Sequence, residues 1–362
     1  MKVLILNWKD PKHPRAGGAE VFTFEVARRL VQLGDDVTWF CSSFAGGSAT
    51  SVQEGIKIVR SGSLYTVFGA ARRYVNKLSS KEMPDIVVDE VNTRPFNPTA
   101  YLPRRTPVCN LVHQLAREVW FQETPFPISV LGRYLLEDWW LRGVSHLPTL
   151  AMSESTKADL LELGFDHVEL TRTGLSSDSF AYPLRKQEPP LLLSISRLTK
   201  GKRVRDAIEA YRLVRREIPC DLVVIGSGPL EAKLRRAYPE VQFVGRVPDS
   251  TRDNLLERAS IILVPGTREG WGRVALEAQA RGTVPVVYNI PGLRDAVDFG
   301  KQGRMALRNS PRALASACLE LLRDKGELER QSRTCFEWSK GFNWDNTATT
   351  FREFLVGVSR ER

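Results

Sequence analysis

Ten short runs of the chain, at residues 3–7, 36–41, 56–59, 85–88 and 107–112 and then at 191–196, 222–225, 241–244, 261–264 and 284–288, are rich in Val, Ile and Leu almost from end to end. Most are separated by stretches with the three-to-four-residue spacing of amphipathic helices. A strand with one wet face alternates apolar and polar residues, whereas a strand apolar throughout needs cover on both faces. The pattern therefore predicts an α/β chain of parallel sheets with helices on each side.

At 362 residues the chain is long enough for two such sheets. The periodicity breaks once near the middle, at 182–190 (YPLRKQEPP), where prolines and charges precede a new strand. The expected organisation is an N-terminal domain at 1–185, a second domain at 186–340 and a C-terminal helix at 341–362 packing back toward the first. There is no repeat of solenoid length and no low-complexity tract.

The chain carries 52 Lys and Arg against 42 Asp and Glu, a formal charge of +10, which favours an anionic partner without naming it. Zinc spacing, RNP motifs and helix-turn-helix patterns are all missing from the sequence, so a basic nucleic-acid-binding protein is the weaker reading of that charge. The five cysteines, Cys41, Cys109, Cys220, Cys318 and Cys335, are scattered and form no C-x-x-C pair. They read as buried free thiols in a reducing compartment. The start, MKVLILNWKD, reads as a first strand rather than a signal peptide, and no run of about 20 apolar residues offers a membrane span. The expectation is a cytoplasmic protein that at most lies on the inner face of a membrane.

In open α/β sheets ligands sit beyond the carboxyl ends of the strands, so the residues that follow each strand carry the information. After the first strand comes Ala16-Gly17-Gly18-Ala19-Glu20, then a helix with Phe22, Val26, Leu30 and Leu33 on one face. Glycines at a helix start let backbone N–H groups approach a phosphate, though alone they more often mark a plain turn. After the strand at 191–196, Arg197 and Lys202 are placed where both could reach a diphosphate, a placement that alone equally suits a solvated basic loop. After the strand at 222–225 comes Gly226-Ser-Gly228-Pro229-Leu230-Glu231, which lacks the third glycine of G-x-G-x-x-G and so speaks against a dinucleotide-binding oxidoreductase. The most informative segment runs from the strand at 261–264 through Glu269-Gly270-Trp271-Gly272-Arg273 into a helix carrying Glu277, then to a Gly-x-x-Pro-Val-Val sequence beginning at Gly282. Carboxylates there suit sugar hydroxyls, and the amides of the glycine turn suit a phosphate.

These motifs together resemble the retaining glycosyltransferases of family 4, which have the GT-B fold of two facing Rossmann-like domains with a ligand cleft between them. The resemblance extends to Leu111-Val-His113-Gln114, Ser155-Thr-Lys-Ala-Asp159 and Phe243-x-Gly245. It implies a nucleotide-sugar donor, UDP- or GDP-linked, held mainly by the second domain, with the acceptor approaching from the first. Arg197 and Lys202 would neutralise the pyrophosphate, Glu277 would bind the ribose, and Glu269 with the amides of Gly270, Trp271 and Gly272 would hold the donor sugar. Gly17 and Gly18 would approach the phosphate. Gly226, Gly228, Pro229, Arg246 and Val247 would surround base and ribose, and His113 would sit beside the reacting carbon. Arg273, where an aliphatic residue is usual, Trp271 in place of Phe, and Pro291-Gly292 with Asp295 bear on which sugar is carried.

The implied chemistry is transfer of a hexosyl group with retention, giving an α-linked product. No Asp-x-Asp occurs, so neither a metal nor any cofactor is expected. A nucleotide-sugar epimerase or a phosphorylase of the same fold is the nearest alternative. For the acceptor, residues 51–83 carry six basic residues (Lys57, Arg60, Arg72, Arg73, Lys77, Lys81) against Glu54 and Glu82, mixed with apolar ones. That stretch, with 121–140 as a second apolar candidate, suits docking on anionic lipid, with a lipid-linked or membrane-borne glycan as acceptor, and equally suits ordinary helices that pack their aromatics inward and leave a solvated basic face.

Overall fold

The computed structural model describes residues 1–175, 182 and 185–360, and the expected join at 182–190 lies partly outside them. The chain divides into two units, one of residues 1–120, 125–174 and 343–362, the other of 121–124 and 175–342.

In the first unit eight strands, β1 (Lys2–Leu6), β2 (Asp36–Cys41), β3 (Thr50–Gln53), β4 (Ile56–Arg60), β5 (Ile86–Val91), β6 (Val108–Val112), β7 (Thr149–Ala151) and β8 (Val168–Leu170), form one sheet in the order β3-β4-β2-β1-β5-β6-β7-β8. All neighbours are parallel except β3 and β4. Side chains of alternate register feed two apolar clusters, Leu4, Leu6, Phe40 and Val87 on one face and Val3, Ile5, Trp39 and Ile86 on the other. The second cluster is closed by helices Gly18–Gln32 and Trp344–Arg360, which pack together. Phe22, Val26 and Leu30 are buried as the helical spacing predicts, but Leu33 is half exposed because the helix ends at Gln32.

The second unit holds β9 (Leu191–Ile195), β10 (Asp221–Ile225), β11 (Gln242–Gly245), β12 (Ile261–Val264), β13 (Val284–Val287) and β14 (Arg304–Met305), all parallel, in the order β11-β10-β9-β12-β13-β14. Leu192, Leu222 and Val224 pack on one face and Leu191, Leu193 and Val223 on the other, the two-sided burial that continuous apolar strands require. All ten expected strands are present, nine with ends within one residue of the expected ones and β5 running three residues further, to Val91. The four short strands β3, β7, β8 and β14 were not expected. The five cysteines are buried and free.

Candidate active site

In the second sheet β9 lies between β10 and β12, so the chain runs outward in opposite directions on its two sides. Such a switch point opens a crevice beyond the carboxyl ends of the strands. The loop after β9 supplies Arg197, which is exposed and has no ion pair among the described residues, and Lys202. The loop after β12 supplies Glu269, and the two loops are stitched by the Thr267 N–H donating to Gly201 O at 2.9 Å. Lys202 Nζ and Glu269 Oε1 form an ion pair, so two residues assigned to different parts of one donor hold each other here. Gln122, in the short 121–124 segment of this unit, donates to Thr267 Oγ1 at 2.6 Å.

Glu277 stands one turn beyond Arg273 on helix Arg273–Gln279 and accepts its guanidinium at 3.1 Å. Both carboxylates singled out in the sequence are thus paired with a cation. Trp271 packs its ring on Phe342, with centroids 5.6 Å apart. Gly272, the residue before helix Arg273–Gln279, is buried.

Two glycines set the shape of this edge. Gly226 has φ of +127°, and a Cβ there would lie 1.9 Å from Ser196 O. Only glycine lets the turn after β10 lie against the start of the Arg197 loop. Gly292 has φ of +81°, and its Cβ would meet Glu269 O at 2.1 Å, so the loop after β13 presses directly on the Glu269 backbone. Asp295 anchors that loop by accepting from the Gly292 N–H at 2.9 Å. On the far side Arg246 Nε donates to Ser227 Oγ at 3.0 Å, and the Gly226 N–H donates to Gly245 O at 2.7 Å. These bonds tie the Gly226–Gly228–Pro229 turn to the segment holding Arg246 and half-buried Val247.

The first unit has its own switch point between β1 and β5. There Asn92 Nδ2 donates to Asn7 Oδ1 at 3.1 Å. His113, just beyond β6 and 8% exposed, bonds through Nε2 to Glu90 Oε1 at 2.9 Å, while Thr23 Oγ1 donates to Glu90 Oε2 at 2.7 Å. The fully buried Glu90 and Thr23 were not singled out from the sequence. Glu90 sits inside an apolar strand, and its pairing with His113 spans a neighbouring strand. Adjacent Asp89, also fully buried, has its carboxyl pushed up to about 7 by burial, although the Phe96 and Asn97 amides it accepts oppose the rise.

The glycine loop is more committed than expected. The Gly17 N–H donates to Glu20 Oε2 at 2.6 Å, and Glu20 also pairs with Lys9 at 2.9 Å. The Gly17 amide is therefore spent within the loop. The first-turn amides that follow, beginning at Gly18, have no partner within the helix by construction. The loop is pinned from below by a buried pair of Asp10 and Arg60, and Arg60 also donates to Ser48 O at 2.9 Å. The basic stretch 51–83 is correspondingly not one surface. Arg60 is buried in this pair, and helix Val67–Val75 turns Val67, Ala70, Ala71 and Val75 inward, leaving Arg72, Arg73 and Lys77 as a solvated face.

The family described as Glycosyltransferase Family 4 matches residues 16–178, and that described as Glycosyl transferases group 1 matches residues 177–337. The chain belongs to the family 4 glycosyltransferases. Among relatives of this family 4 chain, a glycogen synthase of Mycobacterium tuberculosis is 29% identical over 238 residues, covering 63% of the chain and 58% of the relative. The chain therefore spans well under two thirds of that relative's length. Among solved structures, a sucrose-phosphate synthase from Thermosynechococcus elongatus superposes with a TM-score of 0.76 at 16% identity, covering 100% of both chains. Anabaena HepE, solved in complex with UDP and glucose, gives 0.72 at 14% identity over 99% of this chain and 100% of its own. The fold class is GT-B.

Proposed function

We propose that the chain is a retaining, metal-independent glycosyltransferase that moves a hexosyl group from a UDP- or GDP-linked donor to a hydroxyl of a lipid-linked or membrane-borne glycan, forming an α-glycosidic bond. The observation that carries this reading is the Lys202–Glu269 pair at the switch point of the second sheet, beside the exposed Arg197, which has no ion pair among the described residues, and the Gly226 turn. Cation, carboxylate and glycine turn at one sheet edge match the three parts of a nucleotide sugar: diphosphate, sugar hydroxyls and nucleoside. The UDP and glucose in the HepE complex support the same ligand class.

In the proposed reaction the bond from the anomeric carbon to the diphosphate oxygen breaks and a bond to the acceptor oxygen forms on the same face. The acceptor's proton passes to the departing phosphate oxygen. Arg197 and Lys202 meet the charge that develops on the diphosphate, a role a metal ion fills elsewhere, and one such preorganised donor is worth about 3–4 kcal/mol. Glu269, released from Lys202 as the diphosphate takes its place, accepts from sugar hydroxyls, and Glu277 accepts from the ribose. Gly17, Gly18 and His113 belong to the acceptor-side unit, where the Glu90 bond fixes the His113 ring. The protein would act in the cytoplasm, at the inner face of the membrane.

A thermal-shift and calorimetric panel of UDP- and GDP-sugars tests this reading, with Glu269→Gln and Glu277→Gln alongside. Glu269→Gln should impair sugar-nucleotide turnover more than free-nucleotide binding, and Glu277→Gln should impair both. Equal losses for free nucleotide in the two variants refute the division of roles, and absence of binding across the panel refutes the donor class.

A further inference from the structure

In the first unit the helical run Ile128–Leu131, Gly132–Leu136 and Glu137–Arg142 is built inside out. Its buried positions are Ser129, Gly132, Glu137 and Leu141, only the last of them a large apolar side chain, while Phe126, Ile128, Leu131, Tyr134, Leu135 and Trp139 stand 46–82% exposed. Ile128, Leu131, Leu135 and Trp139 follow steps of three and four, so they form one row along the helix. The run cannot turn over to bury that row. Glu137 accepts from the Arg117 N–H at 2.9 Å and from Trp120 Nε1 at 3.2 Å, and a Cβ at Gly132 would lie 2.3 Å from the Trp120 ring. A surface helix in water shows the opposite arrangement.

The flanks of the row are cationic. Arg133 lies over the Tyr134 ring at 5.1 Å, and Arg94 over the Trp140 ring at 5.7 Å. Arg72 and Arg94 line a groove of about 460 Å³ together with Phe68, Trp139 and Trp140. Arg142 closes the helix end, exposed to solvent. None of Arg72, Arg94, Arg133 and Arg142 has an ion pair among the described residues.

We propose that this face is a docking surface for an anionic phospholipid bilayer, with the Ile128-to-Trp139 row entering the interface and Arg72 and Arg94 receiving a lipid phosphate in the groove. The inference deepens the reading of a membrane-borne acceptor and rests on it. A helical run of 15 residues, α-helical except for a π-helical turn at Gly132–Leu136, is at most about 22 Å long at 1.5 Å per residue and lies in the membrane plane rather than spanning it. The arginines decide the occupant. A second copy of a chain with charge +10 would bring like charges face to face, whereas a bilayer offers an apolar layer under a sheet of anions.

The test is sedimentation of the full chain with phosphatidylcholine vesicles and with mixed phosphatidylcholine–phosphatidylglycerol vesicles, at low and high salt. UDP and GDP affinity and oligomeric state are measured on the same preparations. Capture by the mixed vesicles alone, weakened by salt, is expected. Leu135→Ser with Trp139→Ser, and separately Arg72→Gln with Arg94→Gln, should each reduce capture roughly tenfold or more while leaving nucleotide affinity at the parent's value. No capture at low salt, capture untouched by both double variants, or a parent dimer that Leu135→Ser with Trp139→Ser dissolves would each overturn the proposal. Vesicle capture without any nucleotide binding would retain the docking surface and refute the glycosyltransferase reading instead.

Discussion

Lys202→Met separates two roles that the geometry superimposes. Lys202 pairs with Glu269 across two loops, and the side chains remain 33% and 20% exposed. An ion pair screened to that degree contributes about 0–1 kcal/mol to stability. In a unit of this size that shifts Tm by no more than about 2–4 °C. Against a bound diphosphate the same ammonium makes a charge-assisted hydrogen bond worth about 1.5–3 kcal/mol. Its loss raises the nucleotide Kd roughly 10- to 150-fold. The upper part of that range is expected, because Glu269 is left without its cation at a site that must accept an anion. Calorimetric titration with UDP and GDP at fixed ionic strength, with thermal unfolding of the same samples, reads both quantities. Glu269→Gln is the control: it dissolves the same ion pair but leaves the cation, so it should show the small Tm change and no loss of nucleotide affinity. If Lys202→Met binds nucleotide as the parent does while its Tm falls by more than roughly 5 °C, Lys202 is a clasp for the Glu269 loop and the diphosphate assignment is wrong.

Asp89 gives a pH signature. Its carboxyl is raised in the folded state to about 7, so the folded protein binds more protons than the unfolded chain between about pH 4 and 7, and stability falls as pH rises through that window. The full penalty above it is on the order of 4 kcal/mol. Asp89→Asn should flatten this dependence in denaturant unfolding of the N-terminal unit, and the same stability difference from the parent at pH 5 and pH 8 would refute the assignment. Gly226→Ala places a Cβ 1.9 Å from Ser196 O at a φ of +127°, so it should cost about 2 kcal/mol or more in stability and weaken nucleotide binding. Thermal unfolding indistinguishable from the parent's would show that the turn is not held as described.

Strands β9, β10, β12 and β13 of the second domain are legible because they are largely buried and so read as nearly unbroken apolar runs, whereas the edge strand β11, with Gln242 exposed, is a mixed one. Arg197, Lys202, Glu269 and Glu277 are legible for a related reason: they follow or border those runs, and a parallel sheet opens its ligand crevice there. The strands β7, β8 and β14 span two or three residues, too few for a period to register, and β3 carries one apolar residue, Val52, and no buried one. Sequence spacing is also silent on which loops meet. Lys202 and Glu269 lie 67 residues apart, Arg60 and Asp10 50, and His113 and Glu90 23. The first of these pairings exists because β9 sits between β10 and β12, and the last because β5 and β6 are adjacent. The outward row on residues 128–139 has a helical apolar period that, read alone, predicts burial. Glu137 and Gly132, held against the Arg117 amide and the Trp120 ring, turn it to the surface. Local periodicity fixes which faces of an element are apolar, and only the packing of distant segments fixes what each face meets.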